Sequence, residues 1–347
     1  MSGRREGGFA LVAVLGVVAF AAAVAATLFY RQRLEMDRTA REMAATQALL
    51  AALGAEAWAA RLLEEDVRAG GVDHLGERWA IPTPPLPAAG GRLWACLTDL
   101  QGRVPLNALG LYSAKAWADE EGEGEALRAT PRRVVMRLFA LLDLDVAPAR
   151  LAALVDWIDA DGWPLSAEGA EDGEYLGADP PHRAANRPLV ELAELVEVRG
   201  FGAADVVRLA PWVNVLDERV AINVNTAPAL VLAALTPRLD LAAAERLAQR
   251  RPFFSREAFY AALAEETGAP RRQLEEELPA TLVGIASRYF ELTVWLEFGS
   301  WRFRHHALLR RGEDGRTRVL LRGRESVPAS PDAQVPPFPS CTAGGER

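Results

Sequence analysis

Apolar residues run unbroken near the start of the chain and are spread with helical or alternating spacing over the rest. The 22 residues Phe9–Tyr30, FALVAVLGVVAFAAAVAATLFY, contain no charge and no proline. As a helix at 1.5 Å per residue they extend about 33 Å, which matches the roughly 30 Å apolar core of a bilayer. Helical sequence continues past Tyr30 to about Val67 without a proline, with Leu34, Ala45, Leu49, Leu53, Ala57 and Leu62 recurring near helical spacing. One helix of about 60 residues is expected, apolar in its first third and amphipathic afterwards, so its second part must pack on a folded unit. A secretory signal peptide fits less well, because its apolar run is shorter and ends at a cleavage site rather than leading into more helix.

Proline and glycine in PTPPLPAAGG, Pro82–Gly91, mark a connection, and Arg92–Leu100 reads as a strand. Near the other end Tyr289–Phe298 and Trp301–Arg310 alternate around Gly299-Ser300, a two-residue hairpin turn, and Arg316–Arg322 supplies another strand. These strands predict one antiparallel sheet covered on one face by the long helix, with Trp295 and Trp301 in its core. Between Ser113 and Gly284 helical patterns dominate: 131–142, 147–158, 188–196, 203–209, 227–235, 241–250, 255–266 and 271–277. Thr226 and Ser255 are N-cap candidates, with Pro228 in the first turn after Thr226. The fold class is therefore α+β, a long N-terminal helix on an antiparallel sheet interrupted by a large all-helical insertion.

Composition narrows the functions. A chain of 347 residues with a net charge of −8 exceeds one ordinary domain and lacks the positive field that draws proteins to nucleic acid. The two cysteines, Cys96 and Cys341, are compatible either with a disulfide or with one buried and one free thiol. Arg4 and Arg5 precede the apolar run and Arg31, Arg33, Arg38 and Arg41 follow it, so charge counting by itself favours placing the globular part on the cytoplasmic side. None of the hydrolase, metalloprotease, nucleotide or dinucleotide motifs occurs, and the histidines at 74, 182, 305 and 306 form no catalytic pattern, so no enzyme activity is expected.

The densest chemical signal is Asp156–Asp179, which holds eight carboxylates and no Lys, Arg or His. Such a loop either faces solvent throughout or holds a cation. Oxygen-only ligands in irregular geometry suit calcium, whereas zinc would call for Cys or His. Asp156 is a weaker candidate because it lies inside the preceding helix, beside Trp157 and toward solvent; Asp159 is also weaker, and Asn186 either supplies an oxygen or caps a helix starting near Pro188. VRGFGAADVV, with Gly200 and Gly202, has the form of a helix-hairpin-helix turn that binds DNA phosphates. Residues 190–252, however, carry eight acidic and seven basic side chains, which favours the scaffold without the nucleic acid.

The basic leader ending in Gly7-Gly8, followed by Phe9, resembles the class III signal of type IV pilins and type II secretion pseudopilins. Those families normally carry glutamate at the fifth mature position, and here that position is Ala13. Lack of that glutamate, together with RQRLEMDRT, QALLAALGAEAWA, DLQGRVPLNAL, LVDWIDAD, GAEDGEY and INVNTAPALVLAAL in this order, resembles the minor pseudopilin K family of type II secretion. The resemblance implies a leader at 1–8, prepilin peptidase cleavage between Gly8 and Phe9, methylation of the new N terminus and a single-pass inner-membrane helix at 9–30. It implies a periplasmic pilin-like domain of 31–112 and 285–325, an insertion at 113–284 of two small SAM-like or helix-hairpin-helix-like units, and a disordered tail at 326–347. It further implies calcium in the acidic stretch, with Asp161, Glu168, Glu171 and Asp172 as ligands, and the minor pseudopilins I and J as partners at the tip of a pseudopilus. A type IV pilus minor pilin and a membrane-anchored DNA-uptake protein are the alternative readings.

Overall fold

The computed structural model describes residues 6–88, 90–111, 130–144, 148–216, 220–299 and 301–327. Helix α1 (Glu6–Ala69) is continuous over 64 residues and carries the Gly8–Phe9 junction in its first turns. It is long and apolar enough to cross a membrane, and its large apolar side chains from Leu11 to Tyr30 are exposed. Leader residues 1–5 and the tail beyond Val327 lie outside the described residues.

The strands β1 (Leu86–Ala88), β2 (Gly91–Asp99), β7 (Tyr289–Phe298), β8 (Trp301–Arg311) and β9 (Thr317–Val327) form one sheet in the order β1-β2-β7-β8-β9. Every neighbouring pair is antiparallel. The expected connection at 82–91 thus contributes a short edge strand, a position where proline is tolerated because no N–H is required of it. The last strand runs to Val327, past the limit the alternation suggested.

The contact between α1 and the sheet differs from the leucine stripe expected from periodicity. Leu34, Leu49, Leu53 and Ala57 are exposed, and the buried row is Ala44, Ala48, Ala52, Ala55 and Ala59 with Leu62 and Leu63. Alanine lets the helix lie close against the large residues Phe290, Leu292, Val294, Leu296 and Phe303 that supply most of the volume of this core. The leucines flank that seam. Within it Glu56 is buried, accepting from Arg322 through both oxygens (2.8 Å each) and lying 2.8 Å from His305 Nε2. Burial alone would raise this carboxyl, but hydrogen bonds from Arg322 and His305 outweigh it and hold it below the usual range. His305 and His306 point to opposite faces, as strand alternation requires.

A second core belongs to the helices α2 (Pro131–Leu141), α3 (Pro148–Ile158), α4 (Asp172–Tyr175), α5 (Ala203–Leu209), α6 (Ala229–Leu235), α7 (Leu241–Gln249), α8 (Arg256–Thr267) and α9 (Arg271–Glu277). Val104, Leu106 and Leu109 already belong to this core, ahead of residue 113. The reason is a pair of small parallel ladders: β3 (Val104–Pro105) with β4 (Val213–Asn214), and β5 (Ile222–Asn223) with β6 (Val283–Gly284). Residues 192–197 form a 3-10 helix and no helix starts at Pro188. Ser255 caps α8 through the Ala258 N–H, but Thr226 caps nothing, and Pro228 occupies the N-cap of α6.

Thr226 is instead part of the polar junction between the two cores. Its hydroxyl donates to Asp99 Oδ2 (2.6 Å), as does that of Ser287 (2.6 Å), while Asn223 Nδ2 lies 3.0 Å from the same oxygen. Asp99 Oδ1 accepts the Gln101 N–H at 2.8 Å. Beside it Asp73 accepts from the Ser287 N–H (2.7 Å) and pairs with Arg311 at 2.5 Å, and Arg311 also reaches Asp66 at 3.2 Å. This junction sits at the end of α1 opposite the apolar segment, since Asp66 is in its last turn.

Candidate metal centre

The acidic loop starts where α3 ends. Asp156, expected on the solvent side of that helix, is fully buried and organises the loop. Its two oxygens accept the N–H groups of Leu165 (2.8 Å) and Ala170 (2.6 Å), folding the intervening chain back over the helix end. A Cβ at Gly169 would collide with Asp156 Oδ2, so only glycine permits this return. Below the loop Trp157 and Tyr175 stack edge to face, their centroids 5.1 Å apart.

That return brings Asp159, Asp161 and Glu171 together, each offering an oxygen within 4.8 Å of the others. Asp159 and Glu171 are buried and Asp161 is exposed at the rim. One oxygen of Asp159 and both of Glu171 have no hydrogen-bond partner among the described residues. Burial, and then the charges of its neighbours Asp161 and Asp156, push the Asp159 carboxyl up to about 7. Burial, and then Asp156, Asp159, Asp161 and Asp172, push Glu171 up to about 7. Buried oxygens without donors, held together against their own repulsion, fit a hard divalent cation, which would be bound by Asp159, Asp161 and Glu171. Asn186 adds a further buried amide oxygen without a partner among the described residues; its side chain lies near Gly162, and its backbone holds a φ of 45°.

Of the four ligands expected from sequence, Asp161 and Glu171 are therefore in the cluster and Glu168 and Asp172 are outside it. Asp172 turns away, accepting the Ala184 N–H at 3.1 Å and pairing with Arg183 at 3.2 Å. Glu168 is exposed and serves the loop through its carbonyl, which accepts from Arg199. Asp159 was a weak candidate because sequence cannot show which carboxylates find donors. The signal that marks it is its place just past the α3 end, one turn after the buried Asp156.

The glycine hairpin is occupied from within. Gly200 has a φ of +89°, and the Gly202 N–H, the group a phosphate would take, donates to Asp205 Oδ2 at 2.9 Å. Asp205 in turn pairs with Arg150 at 2.6 Å, and that guanidinium lies 4.1 Å from the Phe201 ring centre.

A single long apolar helix, seated by its far half on an antiparallel sheet with a helical insertion, defines a pilin-like subunit. The family model for type II secretion system protein K matches residues 222–278, and the model for the first domain of the same protein matches 102–218. The chain is 36% identical over 329 residues to the type II secretion system protein K of Pseudomonas aeruginosa, covering 92% of this chain and 93% of that one. It is 32% identical to that of Klebsiella pneumoniae, over 93% and 97% of the two chains. A chain in the crystal structure of the GspK-GspI-GspJ complex from enterotoxigenic Escherichia coli superposes with a TM-score of 0.69 at 26% identity, over 84% of this chain and 99% of that one. The chain belongs to the type II secretion system protein K family.

Proposed function

We propose that the chain is a minor pseudopilin that caps the periplasmic pseudopilus of a type II secretion system. The observation that carries this reading is full-length similarity to protein K, one example of which crystallised with GspI and GspJ. The corresponding minor pseudopilins are the partners proposed here. α1 anchors the subunit in the inner membrane, prepilin peptidase cuts between Gly8 and Phe9, and the new terminus is methylated. From Tyr30 to Asp66 the helix rises about 54 Å at 1.5 Å per residue, and the polar junction attaches the helical insertion at that upper end. Bulk in that place obstructs a subunit stacking from above. Ala13 offers no carboxylate to a neighbour's terminal ammonium within the membrane, where an unpaired charge is costly. Both features suit the first subunit of a filament.

Calcium is the cation proposed for Asp159, Asp161 and Glu171. Bound there it supplies the positive charge those oxygens lack and fixes the loop against α3 and α4. The role is structural, rigidifying the insertion that forms the cap.

Labelling tests the placement. Pseudopili sheared from cells expressing the full chain with an epitope in the insertion are expected to carry immunogold at one end only; label spaced along the shaft contradicts the capping role.

A further inference from the structure

The acidic loop is held at two points, and only the first belongs to the helix it follows. Asp156 gathers the N–H groups of Leu165 and Ala170. The second hold reaches in from the glycine hairpin through Arg199, the residue before Gly200. Its guanidinium donates through one terminal nitrogen to the Glu168 carbonyl and places the other 3.7 Å from Glu174 Oε1, while its backbone N–H donates to the Tyr175 hydroxyl at 3.3 Å. Glu168 and Glu174 stand three residues before and three residues after Glu171. Arg199 thus grips the chain on both sides of the candidate ligand whose two oxygens find no hydrogen-bond partner among the described residues. Glu171 is also the N-cap of α4, so fixing Glu174 and Tyr175 fixes the turn that starts from it. The grip has a firm base: Gly200, at a φ of +89°, lies over Arg150, where a Cβ would stand 3.3 Å from Cγ, and the Phe201 N–H closes the turn on the Val198 carbonyl at 3.0 Å.

We propose that Arg199 is the positioning residue of the cation site: it holds Glu171 against Asp159 and Asp161, and it ties the order of the hairpin to the presence of the ion. The inference rests on the calcium reading above.

Charge and geometry act in opposite directions at this residue. A guanidinium beside carboxylates competes with a divalent cation for the same field, so by charge alone its removal would tighten binding. Against that, three crowded carboxylates repel one another, and a loop free to open would relieve the repulsion by carrying Glu171 away. Partners that orient a metal ligand from outside are worth roughly ten- to a hundredfold in affinity. Geometry prevails here because Arg199 bonds to the Glu168 carbonyl, Glu174 and Tyr175, so its charge is answered outside the three-carboxylate cluster. Its planar fork lets one side chain serve two groups at once, which the single ammonium of a lysine does not reproduce. Arg183 is the contrasting cation: its side chain is 74% exposed and it pairs with Asp172 alone, so it bears on one side of Glu171.

The test titrates calcium into the full chain, purified in detergent and stripped by chelator, after thermal melts in chelator have established that each variant is folded. Arg199→Ala and Arg199→Lys are each expected to weaken calcium binding by roughly tenfold or more, although the second keeps the charge. Amide hydrogen exchange read by mass spectrometry is expected to show calcium protecting residues 198–202 together with 168–175 in wild type, and 168–175 alone in Arg199→Ala. Tighter binding by Arg199→Ala with Arg199→Lys unchanged overturns the positioning role and leaves Arg199 a counter-charge only. Variants that melt lower in chelator yet bind calcium as wild type does also overturn it, since the contact would then serve the fold and not the site. Equal protection of 198–202 in wild type and Arg199→Ala overturns the tie to the hairpin. Wild type that takes up no calcium ends the calcium reading and the positioning role together, a result set apart from the others by the wild-type titration itself.

Discussion

Two groups of three carboxylates stand in this molecule with nearly the same compactness and opposite surroundings. Asp66, Asp73 and Glu77, at the top of α1, and Asp159, Asp161 and Glu171, at the end of α3, each bring three oxygens within 4.8 Å of one another. The first group is answered by protein: Arg311 pairs with Asp66 and Asp73, the Ser287 N–H serves Asp73, and Trp79 Nε1 and the His74 N–H serve Glu77. The second has the Trp163 N–H at the exposed Asp161 and, among the described residues, nothing at either oxygen of Glu171. Counting acids does not separate a structural junction from a cation site; counting donors does. The junction joins two cores with its own charges, and the loop leaves its buried charge unanswered among the described residues.

The largest effect should come from removing the cation that answers the first group. Arg311→Ala leaves Asp73 buried without its partner and is expected to cost about 3–5 kcal/mol, read by denaturant unfolding, with the same loss in calcium and in chelator. A calcium-dependent loss would merge the two regions and break the comparison.

Next in size is the inverse experiment at the loop. Asp159→Asn with Glu171→Gln removes charges that the metal-free fold holds at a cost, so in chelator at neutral pH the variant is expected to be about 1–2 kcal/mol more stable than wild type. A destabilised variant would show that the loop satisfies these groups itself.

Acidity sharpens the contrast further. Asp66, Asp159 and Glu171 all have carboxyls raised to about 7 in the fold, the first by burial and then by Glu77 and Asp73. A raised carboxyl favours the fold fully below its unfolded value, near 4, and that contribution is lost as pH rises through about 7. Thermal melts in chelator should therefore fall in Tm between pH 4 and 7. Calcium should flatten the share of Asp159 and Glu171 and leave that of Asp66.

The smallest effect belongs to the acids outside the cluster. Glu168→Ala and Asp172→Ala are each expected to change stability by under about 1 kcal/mol, since both are exposed or paired at the surface, and to leave the calcium response in place.

Sequence carried the architecture further than the site. Alternation in 289–298 and 301–310 located the hairpin, and the uncharged run at 9–30 located the membrane-length helix, because both patterns are local. The α1 seam was misread because alanine is a weak signal beside leucine, although its small volume is what permits close packing on Phe290 and Phe303. Asp99, Asn223, Thr226 and Ser287 were visible only as pieces of motifs, and their meeting point joins positions more than a hundred residues apart. Charge made the acidic stretch legible as a candidate cation site, with a solvated loop as the other reading. Its members were not, since choosing Asp159 over Asp172 depends on Arg183 and the Ala184 N–H taking one and leaving the other.

Calorimetric titration of the purified, chelator-stripped full chain with calcium tests the central claim most directly. Wild type is expected to bind with an affinity that a Glu171→Gln variant loses at least tenfold, while Asp172→Ala retains it. No heat in wild type, or equal binding by Glu171→Gln, would contradict the assignment of the unanswered carboxylates as a calcium site.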